Sequence, residues 1–350
     1  MSTVRTLRRW LSGRRPPYAA GVFLDQSRAY EQAQAVVRCF YAMLLFILVS
    51  TVRQWHGLFA AGGYDLLWPV VWIRWLPWSG VGVGLVLCSF CLGCLAAAFF
   101  PERRGARALA FLGVFEFVAL SNSFGKIQHS FHLLVFTSLF LVFLPGRPDH
   151  RRHRRVAERS FLLAFWSCQA IILLSYTMSG CGKVLFAFGQ ISRGEPNIFL
   201  PTALARYVAD RLLQTNSKSA LGGVFIEYYW LGWPLMLGML YLEFFAIWAA
   251  FRPGIQRFWA FGLILFHLGT HFIMGISFPR NVLLLALFFL TLPARGGPGA
   301  RLSWRERLSE LPLFGCLHPE SYLSRRFGRK VSATPERQEE LDSSGTSSGS

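Results

Sequence analysis

The stretch Phe161–Lys183, FLLAFWSCQAIILLSYTMSGCGK, decides how this chain folds. From Phe161 to Gly182 it holds no charged side chain, and about 20 such residues in a helix cross the ~30 Å hydrocarbon core of a bilayer. It ends on Lys183. An ammonium group at membrane depth is costly, and its presence there is by default a functional hypothesis. The chain has 36 lysines and arginines, but its only lysines are Lys126, Lys183, Lys218 and Lys330. A protein that takes arginine for nearly every positive charge uses lysine at this point. A buried lysine can release its proton and act as a base, whereas arginine stays charged. The bland alternative is a lysine that snorkels from a helix end.

Composition extends this to the whole chain. Of 350 residues, 53% are hydrophobic and 15% charged, against roughly 25% charged in soluble domains. The expected fold is an all-α, polytopic transmembrane bundle of about eight helices. The expected spans are Cys39–Val52, Ser79–Phe100, Ala108–Asn122, Ser130–Leu144, Ser160–Gly180, Leu221–Ala250, Arg257–Ser277 and Asn281–Pro293. Leu66–Trp78, with Trp68, Trp72, Trp75 and Trp78, reads as an interfacial or re-entrant piece. Met1–Arg38 has no apolar run after its basic start, so no cleaved signal peptide is expected.

The net charge of +18 lies between and beyond the apolar runs. Its first explanation is the positive-inside rule and its second is attraction to anionic lipid headgroups; nucleic acid is not an expected partner. Placing the basic arm 1–38, the arginines at 103–107 and 147–159, and the segment 294–329 on one side puts both termini in the cytoplasm. The tail 330–350 is polar and Ser/Gly-rich and is expected to be disordered. Cys88, Cys91 and Cys94 form C-x2-C-x2-C inside an uncharged run, where packing residues are expected rather than a cluster.

With this topology the ionisable groups gather towards the outer side. His129 and His132 open the fourth span, Lys183 follows the fifth, and Glu227 begins the sixth. His267 and His271 share one face of the seventh at i, i+4. Such groups need one another or a water-filled cavity, so an outward-facing polar pocket is expected, with Lys183 as its candidate base and His129, His132, His267, His271 and Glu227 lining it for a ligand or cofactor. Glu116 and Glu243 are expected to pair with histidine or to be held protonated. The two histidine spacings suit iron or zinc, but no metal is assigned. Ser179-Gly180-Cys181-Gly182 is expected to break or thin the helix so that a backbone or ligand approaches closely. No Walker A loop, G-x-S-x-G elbow or dinucleotide fingerprint is present.

Three segments carry a resemblance: Gln128-His129-Ser130-Phe131, YTMSGCGKVL from Tyr176 to Leu185, and Phe266-His267 with Met274-Gly275-Ile276 and Phe278. In order and spacing they resemble the transmembrane part of vitamin K-dependent γ-carboxylase and its microbial relatives, the horizontally transferred transmembrane domain family. In the carboxylase a lysine in the matching motif deprotonates reduced vitamin K. Oxygen then converts the hydroquinone into a strong base that takes a γ-proton from glutamate, and carbon dioxide adds. The resemblance implies that Lys183 is the base, that His129 supports the quinone-derived anion, and that His267 holds the Phe-His position. A reduced quinone is the implied cofactor, and membrane lipids and a secreted or membrane peptide are the implied partners.

The chain departs from that pattern at three points. Gly182 stands where the family has a second lysine, Gln128 replaces its asparagine, and no counterpart of the family's large lumenal β-rich domain is expected in the residues after Pro293. The expected function is therefore a quinol-dependent membrane enzyme of stand-alone type. The alternative is a non-enzymatic membrane maturation partner or a lipid- or quinone-binding scaffold.

Overall fold

The computed structural model describes residues 26–60, 72, 75, 79–123, 129–146, 154–216, 219–291, 307 and 310–313. Most of the tryptophan-rich piece, Gln128, Lys126 and Lys218, the start of the basic arm and the C-terminal tail lie outside them. The chain divides into two units, Met1–Arg301 and Leu302–Ser350. The apolar helices all belong to the first.

Among the described residues every element is helical. They are α1 (Gln26–Ala60), α2 (Ser79–Phe99), α3 (Arg104–Asn122), a 3-10 turn (His129–Phe131), α4 (His132–Val142) and α5 (Arg154–Ser192). There follow α6 (Ala203–Thr215), α7 (Gly222–Glu227), α8 (Tyr229–Phe244), α9 (Ala246–Ala250), α10 (Pro253–Met274) and α11 (Pro279–Leu285), the last continued by a π turn (Ala286–Leu290). Within α1, α2, α3, α5 and α10 lie five segments long and apolar enough to cross a membrane. These helices are compatible with a multi-pass integral membrane protein.

Several boundaries differ from the sequence expectation, for identifiable reasons. The fifth helix does not end at Gly180. It runs unbroken through Ser179-Gly180-Cys181-Gly182 to Ser192, because glycine weakens a helix by only about 1 kcal/mol each and the residues around it are strongly apolar. Lys183 therefore does not mark a helix end. It lies about 15 Å along the axis from Arg193, the next charged residue, at 1.5 Å per residue. There Arg193 forks onto Glu195 at 2.8 and 3.0 Å and holds that carboxyl below the usual range.

The expected sixth span is three helices. A non-helical Tyr228 separates α7 from α8, and Phe245 separates α8 from α9. Neighbours satisfy the backbone at the second break: the Ile247 amide donates to Thr177 Oγ1 at 2.8 Å, and the Trp259 indole donates to the Leu242 carbonyl at 3.0 Å. The helix α6 falls outside every expected span. It is amphipathic, and its Leu204 and Val208 pack with Ala187, Met236 and Leu240.

The helices meet through small residues. A Cβ on Gly113 would lie 2.4 Å from the Phe90 Cα, and one on Gly93 would lie 2.6 Å from the Ala110 backbone. Only glycine allows α2 and α3 to approach this closely. At one end of that pair, Arg107 is fully buried and donates to the carbonyls of Pro101 and Leu144, capping carbonyls that the helix ends leave open. Arg107→Met should destabilise the protein by about 2–4 kcal/mol, since charge-assisted hydrogen bonds are lost and two carbonyls are stranded. A clear drop in the thermal midpoint in detergent would show this, and an unchanged midpoint would refute it.

Candidate functional site

Tyr176, Ser179, Gly180 and Lys183 fall at i, i+3, i+4 and i+7 of α5 and so share one face. That face meets α8 at Gly180, where a Cβ would lie 2.5 Å from the Phe244 amide nitrogen and 2.9 Å from the Glu243 carbonyl carbon. Gly180 thus serves the close backbone approach expected of it, but without breaking the helix. The approach sets Glu243 against Lys183: the ammonium donates to Glu243 Oε2 and, at 3.2 Å, to Ser179 Oγ. The Glu243 side chain is 4% exposed and that of Lys183 35%. The carboxylate is the desolvated partner, and the lysine is the one that can reach a ligand.

A second pair lies on the same face. The Tyr176 hydroxyl and His267 Nε2 are 2.7 Å apart, and the Asn281 side chain lies near Tyr176. His267 is buried with its ring 4.9 Å from that of Phe266 and 5.1 Å from that of Phe278. Its Nδ1 is buried without a hydrogen-bond partner among the described residues. The two pairs are close enough that the charge of Lys183 acts on His267 and that of Glu243 on Tyr176. Four helices therefore converge: α5 with Tyr176 and Lys183, α8 with Glu243, α10 with His267, and α11 with Asn281.

The remaining expected residues lie elsewhere. His129 is exposed and His132 partly buried, with their rings 5.0 Å apart and edge to face. The turn that carries them is tied to the start of α11 by Arg280, which donates to Ser130. His271 is exposed, with its ring against Phe272, and Glu227 is exposed at the end of α7. Neither hydrogen-bonds to the Lys183 cluster. Of the two acids expected to pair with histidine or to be held protonated, neither meets a histidine: Glu243 pairs with Lys183, and Glu116 accepts from the Trp72 indole at 3.1 Å.

Sequence reasoning misses Glu243, Tyr176 and Asn281 as site residues. Glu243 does carry a signal, as a lone acid in a long uncharged run. Tyr176 sits one heptad before Lys183, but a tyrosine in an apolar helix does not stand out. Gly275, in the stretch that carries the resemblance, takes φ +69 and caps α10 by bonding back to His271 and Thr270. It is a helix stop rather than a ligand contact. Among the described residues no three His, Cys, Asp or Glu side chains are grouped to hold a metal, and Cys88, Cys91, Cys94, Cys39, Cys168 and Cys181 are free thiols.

Comparison with known proteins gives no match to a family model, a curated protein or a solved structure, so the cluster of Lys183, Glu243, Tyr176 and His267 has to be read from its own chemistry.

Proposed function

We propose that this multi-pass membrane protein has about eight crossings with both termini cytoplasmic, and that its intramembrane cluster takes a proton from a quinol-type lipid to begin base chemistry on a membrane or secreted peptide. The observation that carries the reading is His267, a buried histidine whose Nδ1 has no partner, beside the Lys183–Glu243 pair. A buried polar atom without a partner in a native structure calls for an explanation, and a ligand oxygen is one. If the Tyr176 hydroxyl donates to Nε2, the proton of His267 sits on Nδ1, free to donate to that oxygen. Phe266 and Phe278, whose rings lie 4.9 and 5.1 Å from that of His267, suit an aromatic ligand.

Lys183 would act as the base through Glu243. At rest the pair is an ammonium and a carboxylate. Passing the proton across the hydrogen bond leaves a neutral amine facing the ligand and a neutral acid in the core, which removes both charges from a dry environment. The amine can then accept the ligand's proton. A bound quinol would supply the redox-coupled strong base that reacts further.

One observation favours the scaffold alternative, because the Glu243 pair satisfies Lys183 as it would a purely structural charge. Oxygen consumption by a naphthohydroquinone, with the protein in phosphatidylcholine nanodiscs, separates the two. The wild type should accelerate it over empty discs, and Lys183→Arg should lose on the order of 10²–10⁴-fold of that gain, the usual contribution of a general base. Equal rates for wild type and variant would leave the scaffold reading standing.

A further inference from the structure

We infer that the turn opening α4 and the start of α11 together form a binding site for a phosphate-type oxyanion, distinct from the Lys183 cluster. Its centre is Arg280. The guanidinium carbon lies 3.9 Å from the centroid of the Phe131 ring, and Nη1 donates to Ser130 Oγ at 3.0 Å. The side chain is partly buried, and among the described residues no carboxylate pairs with it. Lys183 is answered by Glu243, Arg107 by two carbonyls and Arg193 by Glu195. Glu116, on the neighbouring α3 whose Phe117 ring lies 5.8 Å from that of Phe131, is engaged by Trp72 instead.

The surroundings of Arg280 are donors. A guanidinium has five N–H groups, and one is used on Ser130. Ser130 accepts that bond and keeps its own hydroxyl proton to give. His129 and His132 occupy the same turn with their rings 5.0 Å apart, and each has an N–H in either protonation state. Stacking on Phe131 fixes the plane of the guanidinium, so its fork is ordered before a ligand arrives, the arrangement that favours bidentate binding of a phosphate. The charge of Arg280 repels a cation, and a neutral ligand would leave the arginine uncompensated in the membrane domain. A phosphodiester headgroup and free inorganic phosphate share the chemistry that fits.

The test uses the full chain in maltoside micelles. Its thermal midpoint is measured alone, with inorganic phosphate, and with phosphatidylglycerol. Ligand that binds the folded form raises the midpoint, and a rise with either probe is expected in the wild type. A rise with phosphatidylglycerol alone identifies a lipid headgroup as the source, and a rise with inorganic phosphate identifies a free anion. Arg280→Gln should abolish the rise and Arg280→Lys should keep part of it. The double variant Ser130→Ala/His132→Gln, which leaves the arginine in place, should weaken the response about tenfold in probe concentration and covers the case where Arg280→Gln does not fold. No rise with either probe, or the same rise in Arg280→Gln or in the double variant, would overturn the assignment.

Discussion

Lys183→Ala is expected to destabilise the protein more than Glu243→Ala does, even though both remove the same ion pair. The asymmetry comes from burial. Without Lys183, the carboxylate of Glu243, 4% exposed, stays in the core without its cation. Without Glu243, the lysine, 35% exposed, can swing its ammonium outward. Breaking a fully buried pair costs roughly 3–5 kcal/mol, and the partial exposure of Lys183 reduces this to about 1–3 kcal/mol here. The double variant Lys183→Ala/Glu243→Ala leaves no charge behind and should lose less than the two single variants together, giving a coupling of about 1–3 kcal/mol. Unfolding midpoints of the four proteins complete the cycle. Additive losses would mean that the two side chains do not interact in the folded protein. All three variants should fail to accelerate quinol oxidation, because stability and proton transfer draw on the same pair in different ways.

Gly180→Ala and Gly182→Ala should have opposite effects, although the two glycines are two residues apart in one helix. At Gly180 a methyl group would meet the backbone of Phe244 at 2.5 Å and that of Glu243 at 2.9 Å. Backbone cannot yield as a side chain does, so α5 and α8 must part. Overpacking of this kind costs about 1–3 kcal/mol or more. The separation also draws Glu243 away from Lys183, so activity should fall with stability. At Gly182 nothing lies within 4 Å of the added Cβ. Alanine there should be neutral, or stabilising by up to about 1 kcal/mol through helix propensity. Thermal midpoints and quinol oxidation rates for the two variants test this directly. If Gly180→Ala proved as harmless as Gly182→Ala, the tight α5–α8 contact would be wrong.

How much of the structure is legible in the sequence depends on which physical signals are local. Uncharged length is local, so α2, α3 and the start of α5 are legible, with Ser79–Phe99 ending within one residue of expectation. The continuation of α5 past Gly182 is not legible. Glycine is a helix breaker in water, but in this apolar stretch Gly180 marks a contact, and the partner surface that decides between these lies some sixty residues away in α8. The same non-locality hides Glu243. Its isolation in an uncharged run is visible, but the partner expected for it is histidine, and only the crossing at Gly180 brings Lys183 to it. The breaks at Tyr228 and Phe245 are invisible because the run from Leu221 to Ala250 is apolar nearly throughout, and the groups that satisfy the second break, Thr177 and Trp259, come from other helices. Lys183 and His267 are identifiable as unusual residues and lie in one cluster. His271 groups with His267 by helical spacing, yet one is exposed and the other buried, because i, i+4 is close to one turn but not the same direction.

The most direct test is to purify the wild type in native lipid, extract what remains bound, and identify it by mass spectrometry alongside Lys183→Ala and His267→Phe. An isoprenoid quinone held by the wild type and reduced in amount in both variants is the expected result. Bulk phospholipid alone in all three samples would contradict a quinol-binding cluster at Lys183 and His267.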